Sequence, residues 1–122
     1  MRFQKILLVE DDEETRFMMS EMLDVMGATV DLAADGQECL ERLEEEPNKY
    51  DVVLLDLHMP RKSGLEALEE IRAHRSDPPR SLHVIALTAD TAWHDEAKAR
   101  SKGFDQIMPK PVNMTSLRNA LI

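Results

Sequence analysis

The strongest constraint on the fold is a repeated alternation between short apolar runs and segments with helical spacing. The clearest run is Asp51-Val52-Val53-Leu54-Leu55-Asp56, an unbroken apolar segment between two acids. A strand that is apolar on both faces is typical of a parallel sheet with helices packed on each side. This run therefore predicts a buried strand of an α/β fold.

The same alternation extends through the chain. The predicted strands span 4–9, 28–32, 51–56, 82–87 and 104–108, and the predicted helices span 13–26, 36–46, 64–74, 92–102 and 113–122. In the first helix, Met18, Met22 and Met26 share one face, which we expect to pack in the core. Five strands alternating with five helices predict βαβ units and a doubly wound parallel sheet.

Length and charge narrow the class of protein. At 122 residues the chain has room for one domain, which we place at 1–122. A formal net charge of −9 argues against direct nucleic acid binding, because phosphate contacts need clustered cations. We expect no membrane insertion, since no apolar run approaches the roughly 20 residues that span a bilayer. Cys39 stands alone, which suggests a reducing, cytoplasmic location.

Polar residues follow four of the predicted strands at the point where each strand ends. Asp11 and Asp12 follow the first strand, Asp56 ends the third, Thr88 follows the fourth and Lys110 follows the fifth. In an open parallel sheet, ligands bind outside the carboxyl ends of the strands, where the strand order reverses. If the order is 2-1-3-4-5, these side chains converge on one site.

Three carboxylates in one pocket repel one another and raise each other's pKa unless a cation neutralises them. Mg²⁺ is the natural candidate, because it takes oxygen ligands and often binds phosphate together with one or two carboxylates. An ionised carboxylate could then attack phosphorus, while Lys110 and Thr88 hold phosphoryl oxygens. Positioning and charge neutralisation are the main requirements of phosphoryl transfer.

Each of these residues also has a structural interpretation. Asp11 could cap the first helix, with Glu14 completing a capping box. Asp56 could be a turn residue, Thr88 an ordinary strand residue and Lys110 a solvated surface lysine. The joint occurrence at four strand ends favours one functional site.

The motifs at these strand ends carry a resemblance to a known family. The chain resembles the receiver domains of two-component response regulators and of hybrid sensor histidine kinases. The resemblance covers the whole chain and implies a flavodoxin-like sheet of order 2-1-3-4-5 with five flanking helices. The matching motifs are Val9-Glu10-Asp11-Asp12, Leu55-Asp56-Leu57-His58-Met59-Pro60, Gly64-Leu65, Ala86-Leu87-Thr88-Ala89 and Lys110-Pro111.

The resemblance also implies a metal site. Asp56 is similar to the family's phosphoacceptor. Asp12 and Asp56 resemble direct Mg²⁺ ligands, joined by the backbone carbonyl of His58. Asp11 resembles the acid that acts through metal-bound water.

Further roles follow from the same resemblance. Thr88 and Lys110 resemble the partners of the phosphoryl oxygens, and the Lys110–Pro111 peptide bond is expected to be cis. Ile107 stands where the family usually has Tyr or Phe, three residues before the lysine. We therefore expect a weak conformational response to phosphorylation.

The resemblance implies a phosphoryl donor and a recipient of the signal. The donor is a phosphohistidine on a sensor histidine kinase or a histidine phosphotransfer domain, and the recipient is a downstream protein or a fused output domain. The chain is expected to catalyse only its own phosphorylation and dephosphorylation. Two alternatives remain open: a pseudo-receiver that binds partners without phosphorylation, and an aspartate-nucleophile phosphohydrolase. The phosphohydrolase usually has a second Asp two residues after the nucleophile, where this chain has His58.

Overall fold

The structure is a computed structural model that describes residues 3–59 and 61–122. Met1, Arg2 and Pro60 lie outside the described residues; the predicted domain includes all three, and the motif that begins at Leu55 includes Pro60.

The described residues form one parallel sheet of five strands in the order β2-β1-β3-β4-β5. The predicted fold class and strand order are thereby confirmed. No helix in this part of the chain has both the length and the apolar character needed to cross a membrane. The strands are β1 Lys5–Val9, β2 Thr29–Ala33, β3 Val52–Asp56, β4 His83–Thr88 and β5 Gln106–Pro109, and the helices are α1 Glu13–Val25, α2 Gly36–Glu45, α3 Gly64–Arg72, α4 Glu96–Lys102 and α5 Met114–Leu121.

Apolar side chains fill both faces of the sheet. Alternate residues of β1 point to opposite sides, so that Leu7 packs in the core layer with α2, α3 and α4 while Leu8 packs in the layer with α1 and α5. All five residues of β3 are buried. The unbroken apolar run of β3 is thus explained by helices on both sides of the central strand.

The core-facing stripe of α1 differs from the prediction. Met19 and Leu23 are fully buried, and Met22 and Met26 pack only partly against the same layer. Met18 is 49% exposed, so its predicted core position is wrong. The buried pair is spaced by four residues, and Met18 lies about 100° around the helix from Met19.

The predicted helix at 92–102 is divided in two. Thr91–Trp93 forms a single 3₁₀ turn, and α4 begins only at Glu96. The division occurs because the Asp95 carboxylate accepts hydrogen bonds from the backbone N–H groups of Ala97 (2.9 Å) and Lys98 (3.3 Å). A side chain that caps the N-terminus of a helix in this way starts a new helix at the following residue.

Candidate functional site

A group of three carboxylates lies at the carboxyl ends of β1 and β3. Oxygen atoms of Glu10, Asp11 and Asp56 all lie within 4.8 Å of one another. The two strands are hydrogen-bonded neighbours with Val9 opposite Leu55, so the residues that follow these two lie side by side. Glu10 and Asp56 are buried, at 0% and 4% exposure, while Asp11 is exposed.

Lys110 completes the charged group from the end of β5. Its Nζ lies 2.5 Å from Glu10 Oε1 and 3.3 Å from Asp56 Oδ2. Its backbone N–H donates to the carbonyl oxygen of Thr88 at 2.9 Å, which ties the residue to the end of β4. The peptide bond from Lys110 to Pro111 is cis, as predicted.

The charges of this group are unbalanced. Burial, together with a hydrogen bond and charge repulsion from Glu10, raises the pKa of Asp56 to about 7, while Lys110 opposes the shift. Burial lowers the pKa of Lys110, but the bond to Glu10 and the charge of Asp56 outweigh this effect, so the pKa is raised. One ammonium thus faces three acids, so a divalent cation would neutralise the group, whereas a single proton would leave it negatively charged.

Asp12 has a different role from its neighbour Asp11. Its carboxylate Oδ2 accepts hydrogen bonds from the backbone N–H (2.9 Å) and hydroxyl (2.5 Å) of Thr15, so Asp12 is the N-cap of α1. These bonds lower its pKa. The alternative in which Asp11 caps the helix with Glu14 is wrong by one residue. Within 3–59 and 61–122, the grouped carboxylates do not include that of Asp12.

Glu10 is the member of the group that the sequence analysis did not single out. Its backbone N–H continues the pairing with β2 by donating to Ala33 at 3.1 Å, and its carboxylate Oε2 accepts from the backbone N–H of Asp12 at 3.2 Å. Its position directly after Val9, the last residue of β1, is the sequence feature that could have identified Glu10 as a site residue.

Thr88 and His58 lie beside the carboxylates. Thr88 is the buried last residue of β4, one residue beyond the pair formed by Asp56 and Leu87. Its Oγ1 accepts from the backbone N–H of Asp90 at 3.0 Å. The backbone N–H of His58 donates to Asp56 Oδ1 at 3.3 Å, and its exposed imidazole Nε2 lies 3.8 Å from Asp90 Oδ2.

The loop after Asp56 is held against the strand by a close approach of the backbone. A Cβ atom at Gly64 would lie 2.2 Å from the Asp56 carbonyl oxygen, which leaves room only for glycine. The backbone N–H of Gly64 also donates to the Leu57 carbonyl at 3.1 Å. The start of α3 thereby fixes the path of the chain directly before His58.

The donor set of the carboxylate group suits a hard cation. The side-chain ligand atoms in the group are carboxylate oxygens, and neither an imidazole nor a thiolate belongs to it among the described residues. Oxygen ligands favour Mg²⁺ or Ca²⁺ over zinc. The site is an acidic pocket compatible with Mg²⁺.

Comparison with protein families gives a match over nearly the whole chain. The model described as response regulator receiver domain matches residues 6–122.

Curated relatives include regulators and kinases. Transcriptional regulatory protein CpxR of Klebsiella pneumoniae is 38% identical over 109 residues, covering 89% of this chain and 44% of that protein. The peroxide stress-activated histidine kinase mak1 of Schizosaccharomyces pombe is 32% identical over 115 residues, covering 92% of this chain and 7% of the kinase. This chain therefore spans less than half the length of either relative.

Solved structures share the fold. The receiver domain of sensor histidine kinase PA1611 from Pseudomonas aeruginosa, crystallised with a magnesium ion in its active site cleft, matches with a TM-score of 0.83 and 33% identity over 97% of this chain and 93% of that domain. Chemotaxis protein CheY4 of Vibrio cholerae matches with a TM-score of 0.83 and 28% identity, covering 97% of this chain and 95% of that protein.

Proposed function

This chain belongs to the response regulator receiver domain family, and from that premise we propose that Asp56 accepts a phosphoryl group from a phosphohistidine. The position of the Asp56 carboxylate supports this proposal most strongly. It is buried within the group of three acids and lies 3.3 Å from Lys110 Nζ. A carboxylate kept from water beside a fixed cation is suited to attack an electrophile and to hold the resulting anion.

The residues present fit a Mg²⁺ site. We propose Asp11 and Asp56 as its side-chain ligands, with Glu10 as the third acid beside them. The backbone carbonyl of His58 joins the ligand set on the strength of the family resemblance. Asp12 is left out, because its carboxylate caps α1 and, among the described residues, does not belong to the group of three. The metal, when bound, supplies positive charge that keeps Asp56 ionised and neutralises the phosphoryl oxygens.

The proposed reaction moves a phosphoryl group from the donor's imidazole to the carboxylate of Asp56. A carboxylate oxygen of Asp56 forms a bond to phosphorus and the P–N bond of the donor breaks. The imidazole nitrogen leaves with the electron pair and takes up a proton from water. Lys110 donates a hydrogen bond to one phosphoryl oxygen. In the part of the chain that the structure describes, the Thr88 hydroxyl oxygen accepts from the Asp90 N–H and its proton has no acceptor, so it can donate to another phosphoryl oxygen.

The transfer yields a modified protein rather than a released product, so the chain acts as a phosphoacceptor. The donor is a sensor histidine kinase or a histidine phosphotransfer domain, and the signal passes to a downstream protein or a fused output domain.

The negative net charge of −9 argues against direct contact with nucleic acid. A buried free thiol at Cys39 supports a cytoplasmic location.

Intact mass after incubation with acetyl phosphate tests this proposal. We expect wild-type protein to gain one phosphoryl mass only when Mg²⁺ is present, and Asp56→Asn to gain none. Asp24→Asn, which removes an exposed acid of α1, is the matched control and should behave as wild type. A wild-type protein that binds Mg²⁺ but gains no mass from acetyl phosphate or from a phosphorylated kinase would support the pseudo-receiver alternative.

A further inference from the structure

Arg16 of α1 contacts the backbone of the acidic loop rather than its carboxylates. Its Nη1 donates to the carbonyl oxygen of Glu10 at 2.8 Å and lies 3.5 Å from that of Asp11. The side chain is half-buried, and among residues 3–59 and 61–122 no carboxylate lies within ion-pair distance of it. One nitrogen of the guanidinium therefore contacts two consecutive peptide groups.

These two peptide groups flank Asp11. Each peptide unit is planar, so a carbonyl that is held in place fixes the orientation of its whole unit. The Glu10 carbonyl belongs to the unit before Asp11, and the Asp11 carbonyl belongs to the unit after it. Holding both units fixes the backbone dihedral angles of Asp11 and, through them, the direction of its Cα–Cβ bond.

The rest of the loop has few other restraints near Asp11. Glu10 is held by its N–H bond to Ala33, and the Asp12 N–H is held by the Glu10 carboxylate. Asp11 is exposed, and among the described residues its carboxylate has no hydrogen-bond donor. The direction of this carboxylate thus depends on the backbone that Arg16 holds.

We propose that Arg16 is a positioning residue for the metal site, which orients Asp11 toward Asp56 by clamping the two carbonyls that flank it. The inference rests on the proposed function, because it assigns to Asp11 the role of a metal ligand. Electrostatics alone predicts the opposite effect. A guanidinium near the site repels a divalent cation, so removing the charge of Arg16 would strengthen Mg²⁺ binding.

Titration calorimetry with Mg²⁺ separates the two effects by sign. We expect R16Q to weaken Mg²⁺ binding by about tenfold or more, the range typical of residues that orient a metal ligand. R16K keeps the charge but lacks the guanidinium, and we expect it to weaken binding as well. An electrostatic role instead predicts tighter binding for R16Q and unchanged binding for R16K. R118Q, which removes one positive charge from α5, is the control and should match wild type.

Amide hydrogen exchange on the metal-free protein gives a second readout. We expect the Asp12 N–H, which bonds the Glu10 carboxylate, to exchange faster in R16Q, while amides of β3 stay as protected as in wild type. Unchanged or tighter Mg²⁺ binding by R16Q would overturn the positioning role alone. If R16Q fails to fold, wild-type affinity in R16K overturns it instead. Absence of Mg²⁺ binding by the wild type contradicts the proposed function itself, and the role of Arg16 falls with it.

Discussion

At Asp56 the protein keeps an acid almost out of water, with only 4% of the residue exposed, beside the fully buried Glu10. Burying ionised groups this close together costs folding free energy, which the positive charge of Lys110 offsets in part. Such a cost is typical of functional sites, where a perturbed carboxylate is ready for reaction with a cation or an electrophile.

The pH dependence of stability follows from this pKa. The folded-state pKa of Asp56, about 7, lies above its ordinary value of 3.8, so the folded protein binds the extra proton between these values. Stability from this group is therefore present at low pH and is lost as pH rises through 7. In metal-free protein, we expect the free energy of unfolding of wild type to fall relative to Asp56→Asn by on the order of 1 kcal/mol between pH 5.5 and 8. Urea denaturation at the two pH values measures the difference, and parallel changes in both proteins would refute it.

Substitution of the two adjacent aspartates distinguishes their roles. Asp11→Asn removes a carboxylate from the group of three, and we expect Mg²⁺ affinity to fall by at least about tenfold. Asp12→Asn keeps a residue that also caps helices well, so we expect a much smaller change. Calorimetric titration of both variants decides the matter. A larger loss for Asp12→Asn would restore the assignment that the family resemblance implied.

The roles of Asp11 and Asp12 depend on a boundary that the sequence does not locate to a single residue. Their positions at strand ends predict that four residues lie together at one edge of the sheet, and the structure places them there: Asp11, Asp56, Thr88 and Lys110. Which acid follows β1 and which caps α1 depends on where the strand stops. A shift of one residue exchanges the two roles, and periodicity does not locate an element boundary that finely.

At the scale of elements, Arg72 joins three segments at the end of the sheet where β4 begins. Its guanidinium donates to the carbonyls of Gly103 (2.9 Å), Arg80 (2.9 Å) and Leu82 (2.7 Å), and to Asp105 Oδ2 at 3.0 Å. These bonds tie the end of α3 to the loop before β4 and to the turn between α4 and β5. A single planar fork satisfies acceptors in both the loop and the turn.

We expect Arg72→Ala to destabilise the protein by about 3 kcal/mol, because several charge-assisted hydrogen bonds are lost at once. Arg72→Lys should recover only part of this loss, since an ammonium cannot reach all the acceptors. Arg75→Ala, at an exposed position nearby, is the control and should change stability by less than about 0.5 kcal/mol. Urea denaturation measures all three variants. A loss below about 1 kcal/mol for Arg72→Ala would show that the three segments are held by other contacts.

Elements with strong patterns were predicted well, and the difference at α4 has a local cause. The apolar run of β3 was evident in the sequence, and the predicted end of the fourth helix at residue 102 is confirmed, since Gly103 follows it with a φ of 112°. The helix expected from residue 92 is interrupted because Asp90 and Asp95 each bond the backbone two residues ahead. Competition between such side-chain bonds and a continuous helix depends on tertiary contacts as well as on residue type.

At the scale of the whole molecule, the strand order unites residues that are far apart in sequence. Because β1 and β3 are neighbours at the centre of the sheet, Glu10 and Asp56 meet, and β4 and β5 then bring Thr88 and Lys110 alongside. The alternation of elements predicted a parallel sheet, and the family resemblance implied its strand order. The pairing of Lys110 with Glu10, by contrast, depends on side-chain geometry that no pattern encodes.

Ile107 bears on how a signal leaves this site. It lies on β5 and packs partly buried against the core layer that contains Phe104. The sequence-based expectation of a weak conformational response to phosphorylation stays a prediction. Among the described residues Ile107 is not a member of the carboxylate group, so we expect that the proposed phosphorylation of Asp56 does not require it.

The most direct test of the account is to locate the phosphoryl group chemically. An acyl phosphate on an aspartate is reduced by borohydride to homoserine, which peptide mass spectrometry can assign to one position. After treatment with acetyl phosphate and Mg²⁺, we predict homoserine at position 56 alone, and none when Mg²⁺ is omitted. Homoserine at position 11 or 12, its glutamate-derived counterpart at position 10, or no reduced residue in a protein that has gained phosphoryl mass, would contradict the assignment of Asp56 as the phosphoacceptor.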